Sequence, residues 1–341
     1  MGKLESTFIL PPFSIFDTKQ GYWQTRKRKW LEIGIKSEEG RVDNLLKFSK
    51  TIRDEGNSSG TSIFDPVLCE ICYKWFCPVN GKIFDNFAGG SVRGIVATKL
   101  GYKYTGIDLS ESQIIVNRKQ AEDLVPNNKP TWIIGDSRKS LELDKDTDYD
   151  MIFTCPPYYD LEVYSDGPND MSTAGDYNAF IDMYEESMKN AITKLKNNRF
   201  MIYTVTNIRD KKGFYRDFVC DTIRLAKKYG MHFYNDIILV NTVGTLAMRI
   251  NRQFSAYRKV GKQHQNVLVF YKGNDSKQIK EVFGDIDTGD VTQNKLSKFS
   301  ETPKESAPKL TEKDDLDDLR KEYPGVSDES LKKIIKQLDN T

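Results

Sequence analysis

From residue 81 onward, short apolar runs alternate with stretches whose apolar positions recur every three or four residues, as strand and helix periodicities require. Lys82-Ile83-Phe84-Asp85-Asn86-Phe87 predicts a strand ending in Ala88-Gly89-Gly90, and 92–100 a helix. Residues 102–109 predict a second strand ending at Asp108, and 111–124 a helix capped by Ser110. Further strands are predicted at 131–134, 149–154, 200–206, 232–240 and 266–271, with helices at 177–195 and 214–229. Repeated strand–helix alternation implies a mostly parallel sheet covered on both faces. No helix is predicted between the last two strands, so they are expected to pair antiparallel at one edge of the sheet.

Two other stretches break this rhythm. Residues 1–60 carry an aromatic and basic cluster, Gly21-Tyr22-Trp23-Gln24-Thr25-Arg26-Lys27-Arg28-Lys29-Trp30, followed by a Gly/Ser stretch at 55–60. Residues 274–341 are rich in Lys, Asp, Ser and Thr and read as a largely disordered tail, with one amphipathic helix at 327–338. A core domain over 61–273 lies between them.

Composition narrows the classes. The chain has 341 residues, 38% of them hydrophobic, with 51 basic and 49 acidic side chains and a net charge of +2. Any nucleic-acid surface must therefore be local. No run approaches the roughly 18 apolar residues of a membrane span, and the N-terminus lacks the pattern of a secretory signal. Five cysteines, an odd number, suit reduced thiols in a cytoplasm. Cys69-x-x-Cys72 has no second pair to complete a zinc site and reads as two thiols on one helix face, so no metal is expected.

The distinctive residues sit where ligands bind in open parallel sheets, at the carboxyl ends of the strands. Phe87-Ala88-Gly89-Gly90-Ser91 allows positive φ and close backbone approach, although a plain tight turn has the same needs. Asp108, at the end of the next strand, is placed to accept from both hydroxyls of a ribose. GxGxxG is absent, so a nucleoside without a pyrophosphate fits better than a dinucleotide. Asp136 in Gly135-Asp136-Ser137 suits either an adenine amino group or a helix N-cap. The fourth strand leaves the core through Phe153-Thr154-Cys155-Pro156-Pro157-Tyr158, a rigid corner flanked by an aromatic.

Together, Asp85-Asn86-Phe87-Ala88-Gly89-Gly90-Ser91, Gly106-Ile107-Asp108-Leu109-Ser110, Gly135-Asp136-Ser137 and Cys155-Pro156-Pro157-Tyr158 resemble the ordered motifs of S-adenosylmethionine-dependent DNA amino-methyltransferases. Thr61-Ser62-Ile63-Phe64-Asp65-Pro66 resembles their additional cofactor-side motif. DNA methylases of phages and prophages are the most similar, over about residues 10 to 273, sharing the cluster around Trp23, Leu161–Asp166 and the run from Arg252 to Gly273. The resemblance implies a class I Rossmann-like fold: a seven-stranded, mostly parallel sheet with an antiparallel edge strand. It implies S-adenosylmethionine held by Phe64, Asp65, Asn86, Phe87, Ala88, Gly89, Gly90, Ser91, Asp108, Leu109, Asp136 and Ser137. It implies methyl transfer to N6 of adenine or N4 of cytosine in duplex DNA, at a corner made by Cys155, Pro156, Pro157 and Tyr158. In that role the corner's carbonyls hold the amine protons and Tyr158 stacks on an extruded base.

The family usually has Asp, Asn or Ser where this chain has Cys155, so the target base is not legible, and more of the polarisation falls to the Pro156 carbonyl. Attack by Cys155 on cytosine carbon 6 is the competing chemistry, though carbon-5 enzymes carry the reverse order, Pro then Cys. An RNA amino-methyltransferase and a non-catalytic nucleic-acid-binding protein of the same fold stay open. The segment 241–265, with Arg249, Arg252, Arg258, Lys259 and Lys262, is the leading candidate for phosphate contact, ahead of the N-terminal cluster and the loop after Tyr158. Oligomeric state is not legible.

Overall fold

The strands over 82–85, 103–108 and 149–154 end in Asp85, Asp108 and Thr154, so each delivers a polar side chain at its carboxyl end. The computed structural model describes residues 9–35, 64–159, 169–243 and 246–284, all inside one compact unit, Met1–Ile286. Among them, eight strands form one sheet: β1 (Ile15–Asp17), β2 (Lys82–Asp85), β3 (Lys103–Asp108), β4 (Thr131–Ile134), β5 (Tyr149–Thr154), β6 (Leu195–Val205), β7 (His232–Val240) and β8 (His264–Lys272). Their order is β1-β7-β8-β6-β5-β2-β3-β4. Strand direction is parallel throughout except for β8, which runs antiparallel to both β6 and β7.

The helices are α1 (Gly21–Glu32), α2 (Pro66–Phe76), α3 (Val92–Lys99), α4 (Glu111–Leu124), α5 (Ser140–Leu143), α6 (Tyr177–Lys194), α7 (Phe218–Lys228), α8 (Leu246–Tyr257) and α9 (Gln278–Phe283). Trp23, Val67, Ile95 and Ile114, from α1 to α4, join one apolar cluster. Phe180, Tyr184, Phe218 and Leu225, from α6 and α7, join a second. The α/β sandwich and its mostly parallel sheet are as expected for a class I methyltransferase fold.

Four expectations need correction. The sheet has eight strands, not seven, because β1 pairs in parallel with β7 through Ile15–Ile238, Phe16–Leu239 and Asp17–Val240. The antiparallel strand is not at an edge. In β8, Val267, Leu268, Val269, Phe270 and Tyr271 are all buried, a continuous apolar run that suits an interior strand, whereas β7 is exposed over its first half. A helix, α8, does lie between the last two strands. Finally, α7 begins at Phe218 rather than at 214; the residues before it form a hairpin described below. The loop 161–166, the Gly/Ser stretch 55–60 and the helix expected at 327–338 lie outside the described residues. So does the 274–341 tail beyond residue 284; its start forms α9, whose Phe283 ring packs 5.5 Å from that of Phe200 on β6. No helix of the described residues is long and apolar enough to cross a membrane.

Part of the N-terminal cluster is taken up by packing. Trp23 is fully buried, and its indole donates to Asp65 Oδ2 at 3.2 Å. The buried Glu70 on α2 accepts from Arg26 Nε at 2.6 Å and Trp30 Nε1 at 2.8 Å, and pairs with Lys74 at 3.0 Å. Burial raises the Glu70 carboxyl, but these three donors outweigh it and hold the group below its ordinary value. Arg28 and Lys29 stay exposed.

Two outcomes follow. Trp23→Ala should lower unfolding free energy in denaturant titrations by about 3–5 kcal/mol, the usual cost of emptying a large buried aromatic site. Because the folded-state pKa of Glu70 is depressed, its stabilisation is complete above the unfolded value of 4.5 and is lost as pH falls through the folded value. The acid limb of stability against pH should therefore be shallower in Glu70→Gln than in the parent chain.

Candidate active site

The strand order reverses between β2 and β5, so the two segments that leave their carboxyl ends, 86–91 and 155–158, emerge side by side. What ties them together is Asp85, the last residue of β2, fully buried. One of its oxygens takes Arg93 Nε at 2.6 Å and the Tyr104 hydroxyl at 2.7 Å. The other takes Thr154 Oγ1 at 2.6 Å and the Phe87 amide at 3.1 Å. Thr154 directly precedes Cys155. Arg93, on α3, also donates through Nη2 to the carbonyls of Phe87 and Ala88 and lies 4.6 Å over the Phe64 ring. Burial works against its charge, but Asp85 beside it raises the guanidinium above its ordinary value.

The glycine segment is latched at both ends. Ala88 N–H donates to Ile107 O at 2.8 Å. Gly89 adopts φ +52°, which suits a residue without Cβ. Its N–H donates to Asp108 Oδ2 at 2.7 Å, and its carbonyl accepts from Asn117 Nδ2 at 2.7 Å. Ser91 Oγ donates to Gln120 Oε1 at 3.0 Å. Asp108 Oδ1 accepts from Ser110 N at 2.9 Å. Each carboxylate oxygen thus holds one backbone donor and keeps a lone pair for another. Burial raises the Asp108 carboxyl above its ordinary value, more than these two amides lower it. Asn86 turns the other way: Nδ2 donates to Ser187 Oγ at 2.8 Å, while Oδ1 is buried with no hydrogen-bond partner among the described residues.

Other expected cofactor residues are held elsewhere. Asp65 caps α2 by accepting from Val67 N at 2.9 Å, and Lys27 reaches it at 3.2 Å. Asp136 caps residues 137–139 and grips Arg138, whose Nε lies 3.1 and 3.0 Å from its two oxygens. Ser137 is buried beneath that cap, and Leu109 is half-buried just past Asp108. Thr61, Ser62 and Ile63 lie outside the described residues.

At the corner, Cys155 is half-buried, with Sγ 3.5 Å from the Tyr158 hydroxyl. That hydroxyl donates to Thr204 O at 3.4 Å and accepts from Gln265 Nε2 at 3.5 Å. The Tyr158 ring is 8% exposed and meets Phe218 edge-on, centroids 6.2 Å apart. It is more enclosed than an open stacking platform would be. Tyr159 takes φ +46°, an uncommon conformation for an aromatic residue. It is clasped by the rings of Tyr177 and Phe180 at 5.8 and 5.4 Å and by Arg216, 4.8 Å above it.

Of the expected phosphate-contacting residues, Arg252 is exposed on α8. Arg258 caps that helix through Nη1 to Phe254 O and Ser255 O, at 3.1 and 2.8 Å. Lys259 and Lys262 follow it, and the side chain of Arg249 lies outside the described residues. Sequence reasoning missed Arg93, Asn117 and Tyr104. The one available signal was a lone charge in the apolar helix Val92-Arg93-Gly94-Ile95-Val96.

The family model N6_N4_Mtase, described as DNA methylase, matches residues 149–336, more than half of the chain. The chain belongs to this DNA methylase family. The match takes in β5 and the corner, starts after the glycine segment, and runs well past residue 273, where the resemblance was expected to end. No curated protein matches the chain. Among solved structures, it is similar to TrmN from Thermus thermophilus, at 14% identity over 61% of this chain and 49% of that one, TM-score 0.41. It is similar to a methyltransferase from Pyrococcus furiosus, at 16% identity over 67% and 95% of the two chains, TM-score 0.42. A third is the magnesium protoporphyrin IX methyltransferase of Synechocystis with bound SAM, at 13% identity over 66% and 90%, TM-score 0.38. The chain thus spans about half the length of TrmN.

The methylase's cofactor is S-adenosylmethionine, and the residues at hand fit it. A Cβ added at Gly89 would find nothing nearer than Arg93 at 4.0 Å, so the segment has an open face. Asp108 offers a free lone pair on each oxygen to a vicinal diol.

Asp108→Ala should weaken S-adenosylmethionine binding at least tenfold by calorimetry. Its raised pKa predicts that affinity falls on acidification at a higher pH than an exposed aspartate would give, with that limb absent in Asp108→Asn. Arg93→Met strands a buried carboxylate and should cost about 3–5 kcal/mol of stability. Adding Asp85→Asn should return part of that loss in a double-mutant cycle.

Proposed function

We propose that the protein transfers a methyl group from S-adenosylmethionine directly to the exocyclic amino group of adenine (N6) or cytosine (N4) in DNA. The observation that carries this reading is the 2.6 Å bond between Thr154 Oγ1 and Asp85 Oδ1. Through it, one buried carboxylate sets the spacing between the nucleoside-binding glycine segment and the corner that begins at Cys155.

Bound there, the cofactor supplies an electrophilic methyl on a sulfonium. Gly89 and Asp108 hold its nucleoside end. An exocyclic amine is a poor nucleophile because its lone pair is delocalised into the ring. Acceptors at Cys155 and the Pro156 carbonyl bond the amine protons and localise that pair; as the N–CH3 bond would form, the S–CH3 bond would break to leave S-adenosylhomocysteine, and the extra proton on the methylated nitrogen would pass to solvent. Pro156 and Pro157 keep those acceptors from turning away, which is preorganisation rather than proton removal. Tyr158, anchored on Thr204 and Gln265, forms the wall against which the extruded base rests. The basic residues 252–262 hold the DNA backbone.

The test is to incubate the protein with labelled S-adenosylmethionine and duplex DNA, single-stranded DNA or RNA, then digest and identify the nucleoside. N6-methyladenine or N4-methylcytosine from DNA is the expected product. Label on RNA alone sinks the DNA assignment, and 5-methylcytosine sinks direct transfer to an amine. With product in hand, Cys155→Ala should retain measurable activity, whereas Tyr158→Ala should lose most of it. Tyr158→Phe should stay within about tenfold, because the hydroxyl's hydrogen bonds are long and weak. Complete loss in Cys155→Ala together with a trapped protein–DNA adduct would identify the thiol as the nucleophile.

A further inference from the structure

Residues 208–216, between β6 and α7, fold into a small hairpin. Arg209 and Tyr215 form an antiparallel bridge. Asp210 N donates to Phe214 O at 2.8 Å and Arg216 N to Ile208 O at 2.9 Å. The hairpin's one acidic side chain, Asp210, is spent on the Phe214 amide at 2.9 Å. Arg209 Nη1 closes the tip by donating to Gly213 O at 2.8 Å. A tip closed in this way leaves Lys211 and Lys212 in solvent and Phe214 70% exposed. The well-bonded turn thus presents the Phe214 ring to solvent rather than packing it.

The hairpin meets the segment that follows α8. Lys259 Nζ lies against Gly213, at φ +94°, where a side chain would collide with it. The Tyr215 ring carries Arg209 Cζ at 3.9 Å on one side of the junction and Lys262 Nζ at 5.8 Å from the other. Burial and the nearby Arg209 charge push the Lys262 ammonium below its ordinary value, as gathered like charges should. Tyr257, 71% exposed, stands beside Lys259. Both stretches are rooted at the corner: Arg216 lies over Tyr159, Phe218 meets Tyr158, and Gln265 reaches the Tyr158 hydroxyl.

We infer that the 208–216 hairpin and the 257–262 segment form one DNA-contacting surface beside the corner, in which Lys211, Lys212, Lys259 and Lys262 take phosphates and Phe214 stacks on a base of the locally opened strand. The inference rests on the DNA reading above and adds to it which element meets the distorted part of the duplex. Cations alone would suit any acidic partner. Exposed flat rings set between them suit bases, which offer a π-face whatever their identity. Extruding a base also leaves unstacked neighbours for such a ring to cover.

The experiment measures fluorescence anisotropy of the full chain with a labelled duplex and with the same duplex carrying a central mismatched bubble, over a salt series. Lys211→Ala/Lys212→Ala/Lys259→Ala should bind the duplex at least tenfold more weakly. Its dependence of log K on log salt should be shallower by about 2–3, near 0.9 per lost phosphate contact. The matching Lys→Arg triple variant should restore the slope. Phe214→Ala should keep the slope but lose the preference for the bubble. S-adenosylmethionine binding by calorimetry reports folding; if the triple variant loses it, Lys211→Ala and Lys212→Ala at the exposed tip are read singly, each lowering the slope by about 0.9. Parent-like DNA affinity and slope in the lysine variants overturn the surface while leaving the DNA reading intact, and an unchanged bubble preference in Phe214→Ala overturns the stacking role. A parent chain that binds RNA but not DNA overturns both the inference and the reading beneath it.

Discussion

A buried carboxylate facing a buried guanidinium governs this molecule. Asp85 and Arg93 are both withdrawn from water, an arrangement that costs several kcal/mol per ion unless the remaining lone pairs and protons find partners. Here nearly all of them do. Tyr104, Thr154 and the Phe87 amide complete the carboxylate, while two loop carbonyls take the guanidinium. The pair is therefore less a stabilising bridge than a fixture. Three chain segments cannot shift separately without leaving an unpaired charge in the core. The 86–91 segment and the 155–158 corner inherit their relative position from it.

The parts legible in the sequence were those with a local cause. β2, β3, β4 and β5 are apolar runs bounded by polar or glycine residues, and α4 starts at a serine whose hydroxyl accepts from Gln113 N at 3.3 Å. Glycine at 89 and aspartate at 108 are residue types that suit strand ends of this kind, and the Gly89 amide donates to Asp108 Oδ2. What was not legible depended on distant partners. Arg93 reads as one charge on a short helix until Asp85 is opposite it. Asp65 gives no sign in sequence of Trp23 and Lys27, which reach it from a distance, whereas Asp136, which suits an adenine amino group or an N-cap in sequence, does cap residues 137–139 and grips Arg138. The position of β8 follows from burial on both faces, which its apolar run Val267–Tyr271 does suggest, but an interior strand inserted out of sequence order cannot be told from an edge strand by periodicity alone.

Charge is distributed with similar economy. The N-terminal Arg-Lys-Arg-Lys run is the longest basic tract of this region, yet half of it is tied to Glu70 and Asp65. Among the described residues, the 257–262 stretch, already basic in sequence, is joined by the cations of the 208–216 turn only when tertiary structure brings the two together. A near-neutral chain can thus gather several cations at one junction without any long basic tract.

The first strand has a further consequence. Thr18 Oγ1 donates to Val240 O at 2.8 Å across a sequence separation of 222 residues. During synthesis, residues 15–18 emerge long before β7 and must wait for it before they can pair. Closing so long a loop adds only slowly growing entropy, but it makes the contact a late one in assembly. Until then the open side of β7 offers unsatisfied amides and carbonyls to any passing strand. The docking of residues 15–17 covers β7 at Ile238, Leu239 and Val240 and makes a three-residue strand the edge on that side of the sheet, a far shorter template for another chain than β7 itself.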